Sequence, residues 1–72
     1  MIIYVNNRVG MLADISRVMT EMNIDIVSLN TKVNKQGIAT VELSFQSTGT
    51  AEINTVTAKL KQISGVFDVT RM

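Results

Sequence analysis

Chemistry in this 72-residue chain has one natural address, the run Asn6-Asn7-Arg8-Val9-Gly10 closed by Met11-Leu12. The run lies where an apolar, strand-like opening (Ile2, Ile3, Tyr4, Val5) meets the first helical pattern. A glycine at such a junction makes a sharp corner, because it accepts positive φ and lets another backbone or a small ligand come close. The helix that starts there presents unpaired N–H groups and a partial positive charge, which suit a carboxylate or a phosphate. The corner is therefore the candidate binding site. The plainer reading is that Gly10 only makes the turn and caps the helix.

Nothing comparable supports catalysis. The chain has no His and no Cys, and its Ser and Thr residues have no base beside them in the sequence. Nucleophilic, acid–base and zinc chemistry all need such groups at short range. The six carboxylates fall singly on different elements, and Asp14, Glu21 and Glu52 read as solvated helix positions. No cofactor and no metal is expected. A net charge of +1 with scattered basic residues gives no electrostatic footprint for nucleic acid. No apolar run approaches the ~20 residues that span a bilayer. The opening residues lack the features of a secretory leader, so a cytoplasmic setting is expected.

The elements that position the corner follow from periodicity. Residues 2–6 read as a strand. From Met11 the stripe Met11, Leu12, Ile15, Val18, Met19 and Met22 marks an amphipathic helix of about three turns ending near Asn23. Methionines at that spacing are core packing, not a cofactor box. Arg17 and Glu21 are spaced as an i,i+4 pair. Residues 24–33 form a second strand whose alternation changes phase. This predicts either a bulge near Ile26-Val27 or a stretch buried on both faces. Asn34-Lys35-Gln36-Gly37 is a hairpin turn. Ala39, Val41, Leu43 and Phe45 then alternate with polar residues in a strand that has one buried face. Thr50 is the expected N-cap of a second helix carrying Ile53, Val56, Leu60 and Ile63, stopped by Gly65. Val66 to Met72 is the last strand.

The order βαββαβ predicts an α+β, ferredoxin-like sandwich: a four-stranded antiparallel sheet with both helices on one face. RNA-recognition domains share this topology and stack bases on aromatics of the open sheet face. Here the open parity of the third strand is Ile38, Thr40, Glu42, Ser44 and Gln46, leaving only Tyr4 on the first strand to stack. Base stacking is disfavoured, while a shape-based contact with folded RNA stays open. A domain this small has a core worth only ~3–5 kcal/mol, so self-association or a larger parent chain is expected to supplement it. Ile2, Tyr4 and Ile38 suit pairing with another sheet.

With these elements in place, the chain resembles an ACT domain, the small-molecule-sensing module of many amino-acid-metabolism enzymes. The resemblance covers essentially all 72 residues and rests on Asn6-Asn7-Arg8-Val9-Gly10-Met11-Leu12-Ala13-Asp14-Ile15, Asn23-Ile24-Asp25-Ile26 and Gly65-Val66-Phe67-Asp68-Val69-Thr70-Arg71. Ser28-Leu29-Asn30-Thr31 and the terminal Val-Thr-Arg resemble the C-terminal ACT domain of RelA/SpoT-type (p)ppGpp synthetases and hydrolases, the GTP pyrophosphokinases of the stringent response. That resemblance implies a single domain over residues 1–72, carried at the end of a larger enzyme. Catalytic domains elsewhere would transfer pyrophosphate from ATP to GDP or GTP. This module would relay a signal from the ribosome, tRNA or a bound amino acid. An amino-acid ligand would engage Asn7, Gly10, Met11 and Leu12 at the corner, with Asp25 and Ile26 supplied by the second strand of a partner in a homodimer joined through sheet faces or strand edges. Two departures stand out. Val9 replaces the proline many members carry before the glycine, and Asp25 stands where amino-acid binders often have Asn. An aspartate there accepts from an ammonium group but repels a carboxylate. The alternative implied by the same resemblance is an amino-acid-binding ACT domain of another enzyme, or a free-standing ligand-binding dimer.

Overall fold

A computed structural model describes residues 1–70. The elements are β1 (Ile2–Asn6), α1 (Met11–Glu21), β2 (Ile26–Val33), β3 (Ile38–Phe45), α2 (Thr50–Lys61) and β4 (Val66–Thr70). The expected continuation of β4 into Arg71 and Met72 lies outside the described residues. The strands form one antiparallel sheet in the order β2-β3-β1-β4, the ferredoxin-like arrangement that the sequence predicts. Among the described residues, no helix is long and apolar enough to cross a membrane.

Alternation along the two central strands builds the core. Ile3 and Val5 of β1 and Ala39, Val41 and Leu43 of β3 are buried, facing Met11, Ile15 and Met19 of α1 and Val56 and Leu60 of α2. Each of these larger apolar side chains contributes about 1.5–3 kcal/mol through burial. Val18, Met22 and Ile63 pack half-buried against this cluster. Leu12, which the helical stripe places in the core, is instead 40% exposed at the start of α1.

Two local expectations are corrected, the start of the second strand and the cap of the second helix, and between them an open alternative is decided. The second strand starts at Ile26, two residues later than its apolar pattern suggested, because α1 ends through Asn23 in the left-handed region (φ 58) and the chain needs Ile24 and Asp25 to return to the sheet. Of the two readings of its phase change, the bulge is the one found: Ile26 pairs with Phe45 and Ser28 with Ser44, leaving Val27 as the extra residue. As an edge strand, β2 has no fully buried residue, and Val27 and Val33 are 66% and 51% exposed. At the second helix, Gly49 and not Thr50 is the N-cap, with no side-chain cap bond. The preceding turn is closed instead by Ser47 Oγ, which accepts from the Gly49 N–H, and by Glu52, which accepts from the Thr48 N–H at 3.1 Å.

The hairpin between β2 and β3 closes on Asn34. Its Oδ1 accepts from the Gln36 and Ile38 N–H groups, at 2.9 and 3.0 Å.

The strand-to-helix corner as candidate functional site

Gly10 sits at φ 86 and turns the chain from β1 into α1. Its carbonyl accepts from the Asp14 N–H at 2.9 Å, and the Met11 N–H donates to the Arg8 carbonyl at 3.2 Å. No side chain caps α1. Among the described residues, none accepts from the Leu12 and Ala13 N–H groups, so the helix start offers two free donors beside its partial positive charge.

Three separate turns meet at this end of the sheet. The Asn7 N–H donates to the Gly37 carbonyl of the hairpin at 3.0 Å, and the Asn6 N–H donates to the Gly65 carbonyl before β4 at 2.7 Å. The third tie is Arg8. Its Nε and Nη2 donate to the Ser64 carbonyl at 3.0 and 2.9 Å, and Nη2 also donates to Asp14 Oδ2 at 2.7 Å. Nη1 donates to the Val9 carbonyl at 3.2 Å. Arg17 approaches the other oxygen of Asp14 at 3.4 Å, in place of the Glu21 partner that its spacing suggested.

Asp14 is thus no solvated helix position. The hydrogen bond from Arg8 holds its carboxyl below the ordinary value of 3.8, helped by the charges of Arg8 and Arg17 and opposed by partial burial. Gly65 makes room for the same cluster. It adopts φ 94, and a Cβ there would stand 2.9 Å from the Met11 methyl carbon and 3.4 Å from Arg8 Nε.

The residues expected at the site divide into three groups. Asn7, Gly10 and Leu12 are exposed around the free N–H donors. Met11 lies at the same corner, but its side chain is 3% exposed and belongs to the core, so only its backbone can face a ligand. Asp25 and Ile26 are at the far end of the sheet: Asn6 pairs with Ile38 whereas Ile26 pairs with Phe45, seven residues along β3. That is about 23 Å at strand rise. One chain therefore does not unite the two sets. Asp25 instead borders an open cleft of about 470 Å³ with Asn23, Val27, Gln46, Thr48 and Glu52.

Sequence reasoning missed the role of Arg8. Its two main acceptors are Asp14, across the turn, and Ser64, 56 residues away. No periodic pattern links such positions, and the only signal was a lone cation beside the corner glycine.

A profile of the ACT domain family matches residues 1–71. The chain is similar to an ACT domain-containing protein of Staphylococcus saprophyticus, with 33% identity over 70 residues covering 96% of this chain and 46% of that protein. It thus spans about half the length of that curated relative, 46%. Among solved structures, the crystal structure of the ACT domain from GTP pyrophosphokinase of Chlorobium tepidum superposes with a TM-score of 0.83 at 28% identity, covering 99% of this chain and 91% of that one. The solution NMR structure of the same domain gives 0.80 at 28% identity, covering 99% and 80%. An uncharacterised protein of Thermotoga maritima shares the fold at 24% identity and a TM-score of 0.67, covering 92% and 82%.

Proposed function

The chain belongs to the ACT domain family, and from that premise we propose that it is the regulatory module of a (p)ppGpp synthetase/hydrolase, a GTP pyrophosphokinase. ACT domains regulate and do not catalyse, so the nucleotide chemistry would reside on other domains of a longer protein. The observation that carries the reading is the likeness to the Chlorobium GTP pyrophosphokinase domain over 91% of that chain. The resemblance of Ser28-Leu29-Asn30-Thr31 to that branch supports it further.

The signal enters at the corner. A ligand carboxylate would accept from the Leu12 and Ala13 N–H groups, with Asn7, Gly10 and Leu12 at the rim and only the backbone of Met11 available. Asp25 and Ile26 would come from a second copy, where Asp25 accepts from the ligand ammonium. An amino acid meets both demands. A contact with the ribosome or tRNA is the other route by which the module would receive its signal.

The test of the parent enzyme is an assay of synthesis and hydrolysis of (p)ppGpp by the full protein, with and without these 72 residues. Removal is expected to change the balance of the two activities. A flanking coding sequence without nucleotidyltransferase or hydrolase domains would overturn the assignment. For the ligand, NMR titration with each amino acid is expected to shift amides of residues 7–12 and 24–28, and unchanged amides at about millimolar concentration would remove amino-acid sensing.

A second reading is favoured by the staphylococcal relative, whose whole length is about twice this chain since the match covers 46% of it. There the domain would serve a different, smaller ACT protein as an amino-acid-binding unit. The flanking sequence separates the two.

A further inference from the structure

Charge is sorted along this domain, although it is scattered in the sequence. Arg8 lies at the corner, Lys32 and Lys35 at the hairpin tied to it, and Lys59 and Lys61 in the last turn of α2, which leads to Gly65 at the same end. The acids gather at the opposite end. Glu21 closes α1, Asp25 precedes β2, Glu52 stands in the first turn of α2, and Glu42 pairs with Ile2 at the start of β1. Two described cations border that end and both are engaged: Arg17 with Asp14 at 3.4 Å, and the Met1 ammonium with the Leu43 carbonyl at 3.0 Å.

Asp25 and Glu52 both line the open cleft of about 470 Å³ at this end. A volume of that order suits a small molecule. Asn23 and Gln46 add side-chain amides to the lining, and Val27, exposed on its bulge, adds an apolar surface. No donor among the described residues reaches the Asp25 carboxylate, whereas Glu52 gives one oxygen to the Thr48 N–H. α1 ends at the edge of the cleft with no basic residue in its last turn, so its partial negative charge adds to theirs. A metal ion is a poor match, because among the described residues no three His, Cys, Asp or Glu side chains come together to hold one.

We propose that this cleft binds a small organic dication, a diamine or an amino-guanidine, with one cationic end on Asp25, the other on Glu52 and the methylene stem over Val27. The carboxylates accept from its N–H groups, the amide oxygens of Asn23 and Gln46 take the donors left over, and the negative field of this end draws it in. A neutral or anionic molecule gains none of these contacts. The cleft is complete within one chain, and its ligand needs no carboxylate. The inference is therefore independent of ligand binding at the corner, although both give Asp25 a cation to accept from.

The probe is agmatine, titrated into the isotope-enriched 72-residue chain and followed by NMR. Amides of residues 23–27 and 46–52 are expected to shift and saturate with a Kd of about 1–5 mM, while those of residues 7–12 stay still. Asp25→Asn and Glu52→Gln remove one charge each, and the glutamine keeps an acceptor for the Thr48 N–H, so native NMR dispersion should remain. Each is expected to weaken binding about fivefold, as is replacing agmatine by n-butylamine, which has a single charge. Glu21→Gln and Glu42→Gln, at the same end but outside the cleft, are expected to leave Kd within about twofold.

No saturation by about 20 mM, or butylamine binding as tightly as agmatine, would overturn the site. Equal losses from the two outer variants would reduce it to diffuse attraction by the acidic end and overturn it as well. Movement of residues 7–12 together with the cleft would place a ligand without a carboxylate at the corner, and would overturn the separation of the two sites.

Discussion

The two ends of this sheet are held in different ways. At the corner end, three turns far apart in sequence are tied by Asn6 to Gly65, Asn7 to Gly37 and Arg8 to both Ser64 and Asp14. At the opposite end the turns are closed locally, by Glu52 to Thr48, Ser47 to Gly49, and the Asn23 and Ile24 N–H groups to carbonyls of the last turn of α1, and the distant tie there, Met1 with Leu43, only prolongs the pairing of β1 with β3. The corner thus binds three turns through side-chain and backbone ties, while the far end adds one prolonged strand pairing to a set of neighbouring caps around an open cleft. A ligand bound at the corner, as proposed, would meet donors whose positions are fixed by the whole fold. That preorganisation is what a sensing site needs.

The contrast can be broken most severely at Gly65. Gly65→Ala forces a side chain into φ 94 and a 2.9 Å contact with Met11. Backbone strain and displacement of the cluster should together cost about 2–3 kcal/mol in urea unfolding. In a domain worth only ~3–5 kcal/mol that removes most of the stability. If the loss is no larger than for a far-end variant, the corner is not the stiffer end.

Arg8→Met should follow, costing about 1–2 kcal/mol through the Ser64 carbonyl it leaves without its donor, discounted for partial exposure. It should also shift NMR signals of Ser64 and Gly65 together with those of Asp14, across the sequence gap.

The same cluster predicts a pH dependence. Because Asp14 has a depressed folded pKa, its contribution is present above the unfolded value of 3.8 and is lost as pH falls through the lower folded value. Unfolding midpoints measured across acid pH should therefore decline below about pH 4, and Asp14→Asn should remove this group's share of the decline.

At the far end, Glu52→Ala should cost only about 0.5 kcal/mol, the loss of one exposed turn contact and one favourable charge on the helix start. Val27→Thr, on the exposed bulge, should stay within about 0.5 kcal/mol of the parent. An effect larger than that of Arg8→Met at either position would reverse the comparison.

How much could be read beforehand differs between the same two regions. The stripe in α1 and the alternation in β3 each report a local repeat, 3.6 or 2 residues, so the faces they bury were legible position by position. The phase change in residues 24–33 was legible too, and it became the Val27 bulge. Leu12 shows the limit: the periodic stripe takes in both Met11 and Leu12, but only Met11 enters the core, and Leu12, one helical step further round, is left exposed. The Phe67 irregularity carried no signal, because register between β1 and β4 depends on residues more than 60 positions apart.

The amino-acid sequence by itself determined the order of elements, their buried faces and the glycine-hinged corner, since all of these arise from contacts within a few residues along the chain. The tertiary structure alone decided that Arg8 spends its donors on Ser64 and Asp14, that Gly65 must stay small, and that Asp25 lies at the other end of the sheet from Gly10. Those outcomes depend on where chain closure brings distant segments, and a long guanidinium side chain takes whichever acceptors that closure places within its reach.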